Sequence, residues 1–140
     1  MYKKNLKVLI IEPANQLQAN DKARPNGTLG PAYILGSLRR NGIEADYLDA
    51  TVGEIGRDLK ETFYLRSEME NGNIRYGMSA DELPEIFCKY DIIATSSIFT
   101  VQTRMHFEIA KINDTGDSAC LAEIGVLFDL PLLGTRKYRP

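Results

Sequence analysis

The chain has 140 residues, of which 44% are hydrophobic and 26% charged, and its formal net charge is −2. This composition is typical of a globular chain with one core, and it argues against a general nucleic-acid-binding surface. No apolar run approaches the roughly 20 residues that cross a bilayer, and the first residues carry no signal-peptide core, so we expect a cytoplasmic protein with no membrane association.

The first part of the chain predicts a strand, a long loop, a helix and a second strand. Residues 6–11 are continuously apolar, as in a parallel strand buried on both faces. Residues 12–29 form a polar loop, and loops of this length are usually functional or disordered. A helix begins near Gly30. Residues 43–48 form the second strand, and Asp49 stands at its tip.

The middle of the chain predicts two helices separated by a polar insert. Residues 51–66 begin with the spacing of a capping box and repeat apolar residues every four positions, which indicates a helix. The insert, residues 68–78, is centred on the turn signal Asn71-Gly72 and predicts two short strands or a loose loop. A short helix follows, capped by Ser79 or by Asp81; Asp81 would place Pro84 within the first turn.

The last part of the chain begins with a third strand at residues 92–95, which ends in Ser96-Ser97. A helix over residues 100–112 follows. A fourth strand over residues 119–124 is expected to end at Gly125. Because strands alternate with helices, the sequence predicts a parallel α/β sheet whose carboxyl edge would bind a ligand.

Two groups of residues at that edge have both a functional and a structural interpretation. Gly27, Gly30 and Pro31 would either let the backbone approach a ligand closely or form a turn and start a helix. The hydroxyls of Ser96 and Ser97 would either hold an amide, a ribose or a phosphate, or cap the following helix. Both alternatives stay open from the residues alone.

Acidic residues end the first two strands. Glu12 and Asp49 could be taken for a catalytic pair, but a phosphoacceptor site of the receiver type needs an aspartate after the third strand, where serines stand. Asp49 is expected to cap a turn or to reach a ribose hydroxyl. His106 lies within a predicted helix, where a surface or half-buried position is favoured. Cys88 and Cys120 are isolated and are expected to be free thiols.

Several linked stretches share one family pattern: the strand KVLII followed by Pro13, the stretch GTLGPAYILGSLRRNGIEADYLDA, and the later YDIIATSSIFT. Together they resemble the N-terminal cobalamin (B12)-binding domain of B12-dependent radical SAM proteins. The resemblance covers residues 1–112 of one domain spanning 1–140 and leaves 113–140 as an irregular tail. It implies a flavodoxin-like, Rossmann-like three-layer sandwich with a parallel central sheet, incomplete at its C-terminal side.

The chain departs from the B12-binding pattern at three places. Residues 12–17 read EPANQL, without the histidine of Asp-x-His-x-x-Gly that binds cobalt in other B12 modules. Cobalamin would therefore have no histidine ligand from this loop. The glycine pair after the fourth strand is reduced to Gly125. No Cys-x-x-x-Cys-x-x-Cys is present, so this chain holds no iron–sulfur cluster and lacks the radical SAM domain.

The resemblance implies a site that binds a corrinoid, with no protein ligand to a metal and no catalytic residue. Its residues lie in the first loop, at the start of the first helix, at the tip of the second strand, after the third strand and after the fourth. They are Glu12, Pro13, Asn15, Gly27, Thr28, Leu29, Gly30, Asp49, Ser96, Ser97, Ile98, Phe99, Thr100 and Gly125.

The implied function is to bind cobalamin as the cofactor module of an enzyme whose family contains radical SAM methyltransferases. The chain alone is not expected to be catalytic. Its expected partners are the corrinoid and a radical SAM catalytic domain or chain, and self-association is left open. An alternative is a cofactor-free α/β interaction or scaffold domain, which the missing glycine pair favours. A nucleotide- or flavin-binding enzyme is a third interpretation.

Overall fold

The computed structural model describes residues 5–24, 29–97, 103–114 and 123–128, with the backbone alone at 96, 97, 113, 114 and 123–128. Two short 3-10 turns, Leu59–Glu61 and Ala80–Glu82, accompany the regular elements. In chain order these elements are β1 (Lys7–Glu12), β2 (Asn15–Leu17), α1 (Leu29–Arg40), β3 (Glu44–Asp49), β4 (Arg66–Glu68), β5 (Ile74–Tyr76), α2 (Leu83–Phe87), β6 (Ile92–Ser97), α3 (Thr103–Asp114) and β7 (Glu123–Phe128).

A four-stranded parallel sheet forms the centre of the described structure. Its strand order is β3-β1-β6-β7, and every neighbouring pair is parallel. Counted along the chain, this is the order 2-1-3-4 with which the flavodoxin-like fold begins. The α/β fold class expected from the sequence is therefore confirmed. β1 lies between β3 and β6, and the last five of its six residues are therefore buried.

Helices cover both faces of this sheet. Strand side chains alternate between the faces, so Leu9 and Ile11 lie on one face and Val8 and Ile10 on the other. α1 packs on β1 and β3. The larger core lies on the Leu9 face, beneath α2 and α3, and consists of Leu9, Ile11, Leu48, Ala50, Met78, Leu83, Ile86, Phe87, Ile93 and Ile109.

A second, antiparallel sheet interrupts the α/β pattern. We call it the ribbon; it consists of β2, β5 and β4 in that order. β4 and β5 flank the Asn71-Gly72 turn, where Gly72 has a φ of +78°. Of the two forms expected for this insert, the structure has the two short strands and not the loose loop. β2 was not expected, because it lies inside the loop predicted for residues 12–29.

The helix predicted over residues 51–66 is wrong. Gly53 and Gly56 have φ values of +85° and +87°, which a right-handed helix does not allow. Ile55, counted as part of the apolar face, is fully exposed. The regular structure in this segment is the 3-10 turn Leu59–Glu61. The apolar spacing therefore suggested a helix that the chain does not form.

Several boundaries also differ from the expectations. Ser79, not Asp81, caps the next segment: its side chain and that of Glu82 form a capping box that opens a 3-10 turn before α2. Gly125 does not end the fourth strand; it lies within β7, paired with Ala94. Cys88 is disulfide-bonded, so the expectation of two free thiols is wrong. No helix among the described residues is long and apolar enough to span a membrane.

Candidate ligand edge of the parallel sheet

The register of the parallel strands brings the predicted acidic and hydroxyl residues to one edge. Glu12 pairs with Asp49 at the ends of β1 and β3, and Ile11 pairs with Thr95 on β6. Ser96 and Ser97 follow Thr95 as the last residues of β6. Between β1 and β6 the strand order reverses, and such a switch point is where open α/β sheets bind ligands.

On the β3 side of this edge, both carboxylates bond to protein groups. Glu12 is 9% exposed and accepts a hydrogen bond from the Tyr47 hydroxyl at 2.8 Å. Asp49 accepts hydrogen bonds through Oδ1 from the backbone nitrogen of Thr51 at 2.9 Å and from its hydroxyl at 2.6 Å. Asp49 therefore caps a turn, one of the two roles expected for it.

The ribbon covers the β3 side of the edge. Pro13 and Ala14 are buried, and Ala50 donates its backbone N–H to the carbonyl of Glu12 at 2.9 Å. Gly77, directly after β5, has a φ of +117°, and a Cβ there would meet the Ala50 carbonyl oxygen and lie 3.0 Å from Ala14 Cβ. The ribbon therefore approaches the strand ends so closely that only glycine fits.

Arg75 ties the ribbon to α3. Its Nη1 lies 2.6 Å from both carboxylate oxygens of Glu108, and its Nη2 donates to the carbonyl of Met78 at 2.6 Å. The Arg75 side chain is 11% exposed and that of Glu108 is 30% exposed. The Nε of Arg75 is buried and has no hydrogen-bond partner in the part of the chain that the structure describes. The ion pair is thus largely buried and fixes the position of the ribbon against the helix.

On the β6 side of the edge lies a buried polar pair. Thr95 is 0% exposed and His106 is 5% exposed, and Thr95 Oγ1 is 2.7 Å from His106 Nδ1. The surface or half-buried position expected for His106 is therefore wrong. Its Nε2 is buried and has no hydrogen-bond partner among the described residues, and an unsatisfied buried polar group costs about 1–3 kcal/mol. Burial lowers the pKa of His106 below its ordinary value of 6.5, so the imidazole is neutral at pH 7.

The first turn of α1 stands apart from the packed parts of the edge. Leu29 is 73% exposed, and Pro31 is the buried residue of the helix. A Cβ on Gly30 would meet no atom of the described structure within 4 Å. Packing among the described residues therefore does not explain a glycine at this position. Gly36, farther along the same helix, is equally uncrowded.

The remaining predicted site residues are less informative. Asn15 lies in β2, opposite Tyr76, and so belongs to the ribbon. Gly125 pairs with Ala94 two residues before the pair of Ser96 with Leu127, so it lies back from the edge. Five predicted residues lie outside the described residues: Gly27, Thr28, Ile98, Phe99 and Thr100.

Sequence reasoning missed Gly77, Arg75, Thr95 and the burial of His106. The sequence held one indication that His106 is buried. It precedes the core residue Ile109 by three positions and therefore lies beside it on the same face of the helix. Nothing local indicates the pairing of Arg75 with Glu108, 33 positions away. Among the described residues, no group of three or more histidines, cysteines, aspartates or glutamates is placed to hold a metal ion.

Comparison with known proteins finds one informative relative. The chain is 27% identical over 123 residues to a cytidylyl-2-hydroxyethylphosphonate methyltransferase of Streptomyces wedmorensis. It is similar to part of a methyltransferase. The match covers 85% of this chain but 22% of that protein, so the chain spans about a fifth of the relative's length. No protein-family model and no solved structure matches the chain.

Proposed function

We propose that this chain binds a corrinoid as the cofactor-binding module of a B12-dependent radical SAM-type methyltransferase. The likeness to part of a methyltransferase supports this proposal, as does the flavodoxin-like strand order. It also agrees with the stretches KVLII, GTLGPAYILGSLRRNGIEADYLDA and YDIIATSSIFT, which resemble that family. The observation that carries most weight is the switch point between β1 and β6, with Ser96 and Ser97 ending β6 there.

The residues at the edge are compatible with a corrinoid that receives no histidine ligand. Residues 12–17 contain no histidine. His106, the one histidine of the chain, is 5% exposed and bonded to Thr95, so it is not available to a cobalt ion. The uncrowded backbone at Gly30 leaves room for a ligand beside the first turn of α1. We therefore do not assign any residue of this chain as a ligand to cobalt.

In this proposal the chain binds the cofactor, and the reaction takes place at the cofactor and in a separate catalytic domain. When bound, a corrinoid supplies a cobalt centre that can carry a methyl group. This chain would bind and orient it: the backbone at Leu29 and Gly30 on one side, and Ser96 and Ser97 on the other. Glu12 and Asp49 would contribute indirectly, because their carboxylates already hold Tyr47 and Thr51.

Equilibrium dialysis of the purified chain against hydroxocobalamin and methylcobalamin tests the proposal. We expect retention of the corrinoid and visible absorbance that co-elutes with the protein on size exclusion. Riboflavin phosphate is a matched control ligand, because retention of flavin would favour the nucleotide- or flavin-binding interpretation. Absence of corrinoid retention at micromolar protein concentration contradicts the proposal.

Gly30 and Gly36 offer a matched pair of variants for locating the ligand. Alanine at either position should stabilise α1, by about 0.5–1 kcal/mol, because glycine is a poor helix former and neither Cβ would meet an atom of the described residues within 4 Å. Gly30→Ala should nevertheless weaken hydroxocobalamin binding by about tenfold, or 1.4 kcal/mol, if a ligand lies against this backbone. Gly36→Ala should leave binding unchanged. Equal affinities for the two variants would remove Gly30 from the site.

A second candidate function, an interaction domain without cofactor, is supported by one observation. α1 exposes 73% of Leu29 and 78% of Tyr33, although a helix of a three-layer fold normally buries its apolar residues. Such a surface tends to bind other protein surfaces, including a second copy of the chain. Size exclusion with light scattering would then give a dimer, and Tyr33→Lys should restore a monomer. A monomer in the wild type contradicts self-association through this helix.

A further inference from the structure

The Thr95–His106 pair has a feature that fold stability does not explain. The two side chains are 0% and 5% exposed, on the same elements as the core residues Ile93 and Ile109. Their hydrogen bond satisfies Nδ1 and leaves Nε2 buried with no partner. Two apolar side chains of similar size would fill the same space without an unsatisfied nitrogen, and such replacements are often neutral or stabilising. A destabilising buried group of this kind is typical of a functional region.

The place of the pair in the fold indicates which region it serves. Thr95 is opposite Ile11 of β1, at the switch point, and Ser96 is its immediate neighbour in the chain. His106 is the fourth residue of α3, one turn from the helix start. The hydrogen bond therefore joins the carboxyl end of β6 to the first turn of α3, directly beneath the edge proposed to bind the ligand.

The other flank of α3 is fixed independently. Glu108 and His106 lie on opposite sides of the helix face that buries Ile109, since two positions correspond to more than half a turn. Glu108 is held by Arg75 of the ribbon, and His106 is held by Thr95 of the sheet. Loss of the Thr95 contact would leave α3 attached to the ribbon while the end of β6 is released from the helix.

We propose that His106 is a positioning residue for the candidate corrinoid edge. It holds Thr95, and through the backbone it fixes Ser96 and Ser97 in the geometry that receives the ligand. This inference rests on the proposed function, because it assigns a role within the same site. His106 does not touch the ligand in this scheme and is not catalytic.

The imidazole acts here as a neutral hydrogen-bonding group. Arg75 of the ribbon reaches α3 through its ion pair with Glu108, and the elements packed on α3 are α2, β6, β7 and the 3-10 turn Ala80–Glu82. Their described charged side chains are Asp81, Glu82 and Glu85; Glu82 pairs with Arg57, and Asp81 and Glu85 are exposed. Burial alone accounts for the lowered pKa of His106. At neutral pH the His106 side chain is therefore uncharged and contacts β6 through packing and its hydrogen bond to Thr95.

The decisive variant is Thr95→Val combined with His106→Leu, which removes both polar partners and the unsatisfied nitrogen. We expect the urea midpoint to stay equal to that of the wild type or to rise. The Kd for hydroxocobalamin should nevertheless rise about tenfold, because the end of β6 is no longer held. The single variant His106→Asn keeps Thr95, and its amide can take the place of Nδ1 in the hydrogen bond. Its affinity for hydroxocobalamin should therefore lie between those of the double variant and the wild type. Phe107→Leu, at a neighbouring residue that is 63% exposed, should change neither quantity.

Two measurements separate this inference from the proposed function. If affinity and urea midpoint fall together in the double variant, and His106→Asn rescues neither, the pair is only a core contact and the inference is overturned. If the wild type binds no corrinoid, the proposed function fails, and amide hydrogen exchange at Ser96 and Ser97 decides the inference. Faster exchange there in the double variant, at an unchanged urea midpoint, supports positioning; equal exchange overturns it.

Discussion

The two halves of the ligand edge are built in opposite ways. On the β3 side, the chain folds its own ribbon over the strand ends: Gly77 contacts Ala50, and the carboxylate of Glu12 is used by Tyr47. On the β6 side, Thr95 and His106 form a polar pair that leaves one buried nitrogen without a partner. In the first half, the carboxylates at the strand ends are satisfied by internal contacts, and the buried Arg75 Nε without a described partner lies where the ribbon meets α3. In the second half, the buried nitrogen without a described partner lies beside the end of β6 itself.

This difference suggests that the β3 half of the edge contributes mainly to fold stability and the β6 half mainly to ligand binding. A fully satisfied polar network rigidifies a structure, while an unsatisfied buried group persists when something other than stability retains it. The carboxylates of Glu12 and Asp49, which look functional in the sequence, are both satisfied by protein groups. We therefore expect substitutions in the β3 half to change stability first, and substitutions in the β6 half to change binding first.

The largest effect is expected at Gly77, in the β3 half. Gly77→Ala introduces a Cβ against the Ala50 carbonyl at a φ of +117°, so backbone or ribbon must move. We expect a loss of about 3 kcal/mol in the free energy of unfolding. Gly72→Ala is the control: the φ of Gly72 is +78°, but an added Cβ would meet no described atom within 4 Å, so only the left-handed backbone cost of about 1 kcal/mol remains. Urea unfolding measures both, and equal losses would show that the ribbon does not press on the strand ends.

A smaller effect is expected at the contact between ribbon and helix. Arg75→Leu leaves Glu108 without its 2.6 Å partner, and because Glu108 is 30% exposed, water offsets part of the cost. We expect a loss of about 2 kcal/mol in unfolding free energy, below the range for a fully buried pair. Arg39→Leu breaks the exposed pair with Asp46 and should cost less than 1 kcal/mol.

The Arg75–Glu108 pair should affect stability but not ligand binding, unlike the Thr95–His106 pair of the β6 half. Arg75→Leu with Glu108→Leu removes both charges and should recover most of the lost stability. Hydroxocobalamin affinity of the folded double variant should match that of the wild type, because the pair lies on the ribbon side of α3. A tenfold loss of affinity at restored stability would show instead that the ribbon takes part in binding.

The parallel sheet was predictable because its signals are local. β1 is a continuous apolar run, β6 begins with Ile92 and Ile93, and the start of α1 follows from Gly30-Pro31, so these elements and their shared carboxyl edge followed from the sequence. The flavodoxin-like strand order was implied by the family resemblance. The ribbon could be predicted only in its hairpin half. β2 has three residues and pairs with β5 nearly 60 positions away, and no local pattern encodes such a pairing.

The candidate site divides in the same way. The chain positions of Asp49 and Ser96 at the strand ends followed from strand boundaries alone. The commitment of Asp49 to Thr51, and the burial of His106 against Thr95, depend on tertiary contacts. The predicted helix over residues 51–66 failed for a related reason: Gly53 and Gly56 adopt positive φ values, and this outweighed an apolar spacing that suits a helix.

The smallest predicted effect is a pH dependence that belongs to the β6 half. At about pH 7.5 and above, the imidazole of His106 is almost wholly neutral in both the unfolded and the folded chain, so pH has little effect on stability through this group. As the pH falls below 6.5, the unfolded chain gains a proton that the folded chain, with its lowered pKa, does not take up. Stability should therefore fall with pH, by at most about 1.4 kcal/mol per pH unit, until the lowered folded pKa is passed.

Urea unfolding between pH 7.5 and 5, compared between the wild type and the Thr95→Val, His106→Leu double variant, isolates this contribution. Carboxylates titrate in both proteins and cancel in the difference, and His106 is the one histidine of the chain. We expect the wild type to lose stability more steeply below pH 6.5, and the imidazole NMR signals of the folded protein to titrate below 6.5. Parallel curves would mean that His106 is solvated in solution. The β6 half would then carry no unsatisfied buried group, and the contrast between the two halves of the edge would disappear.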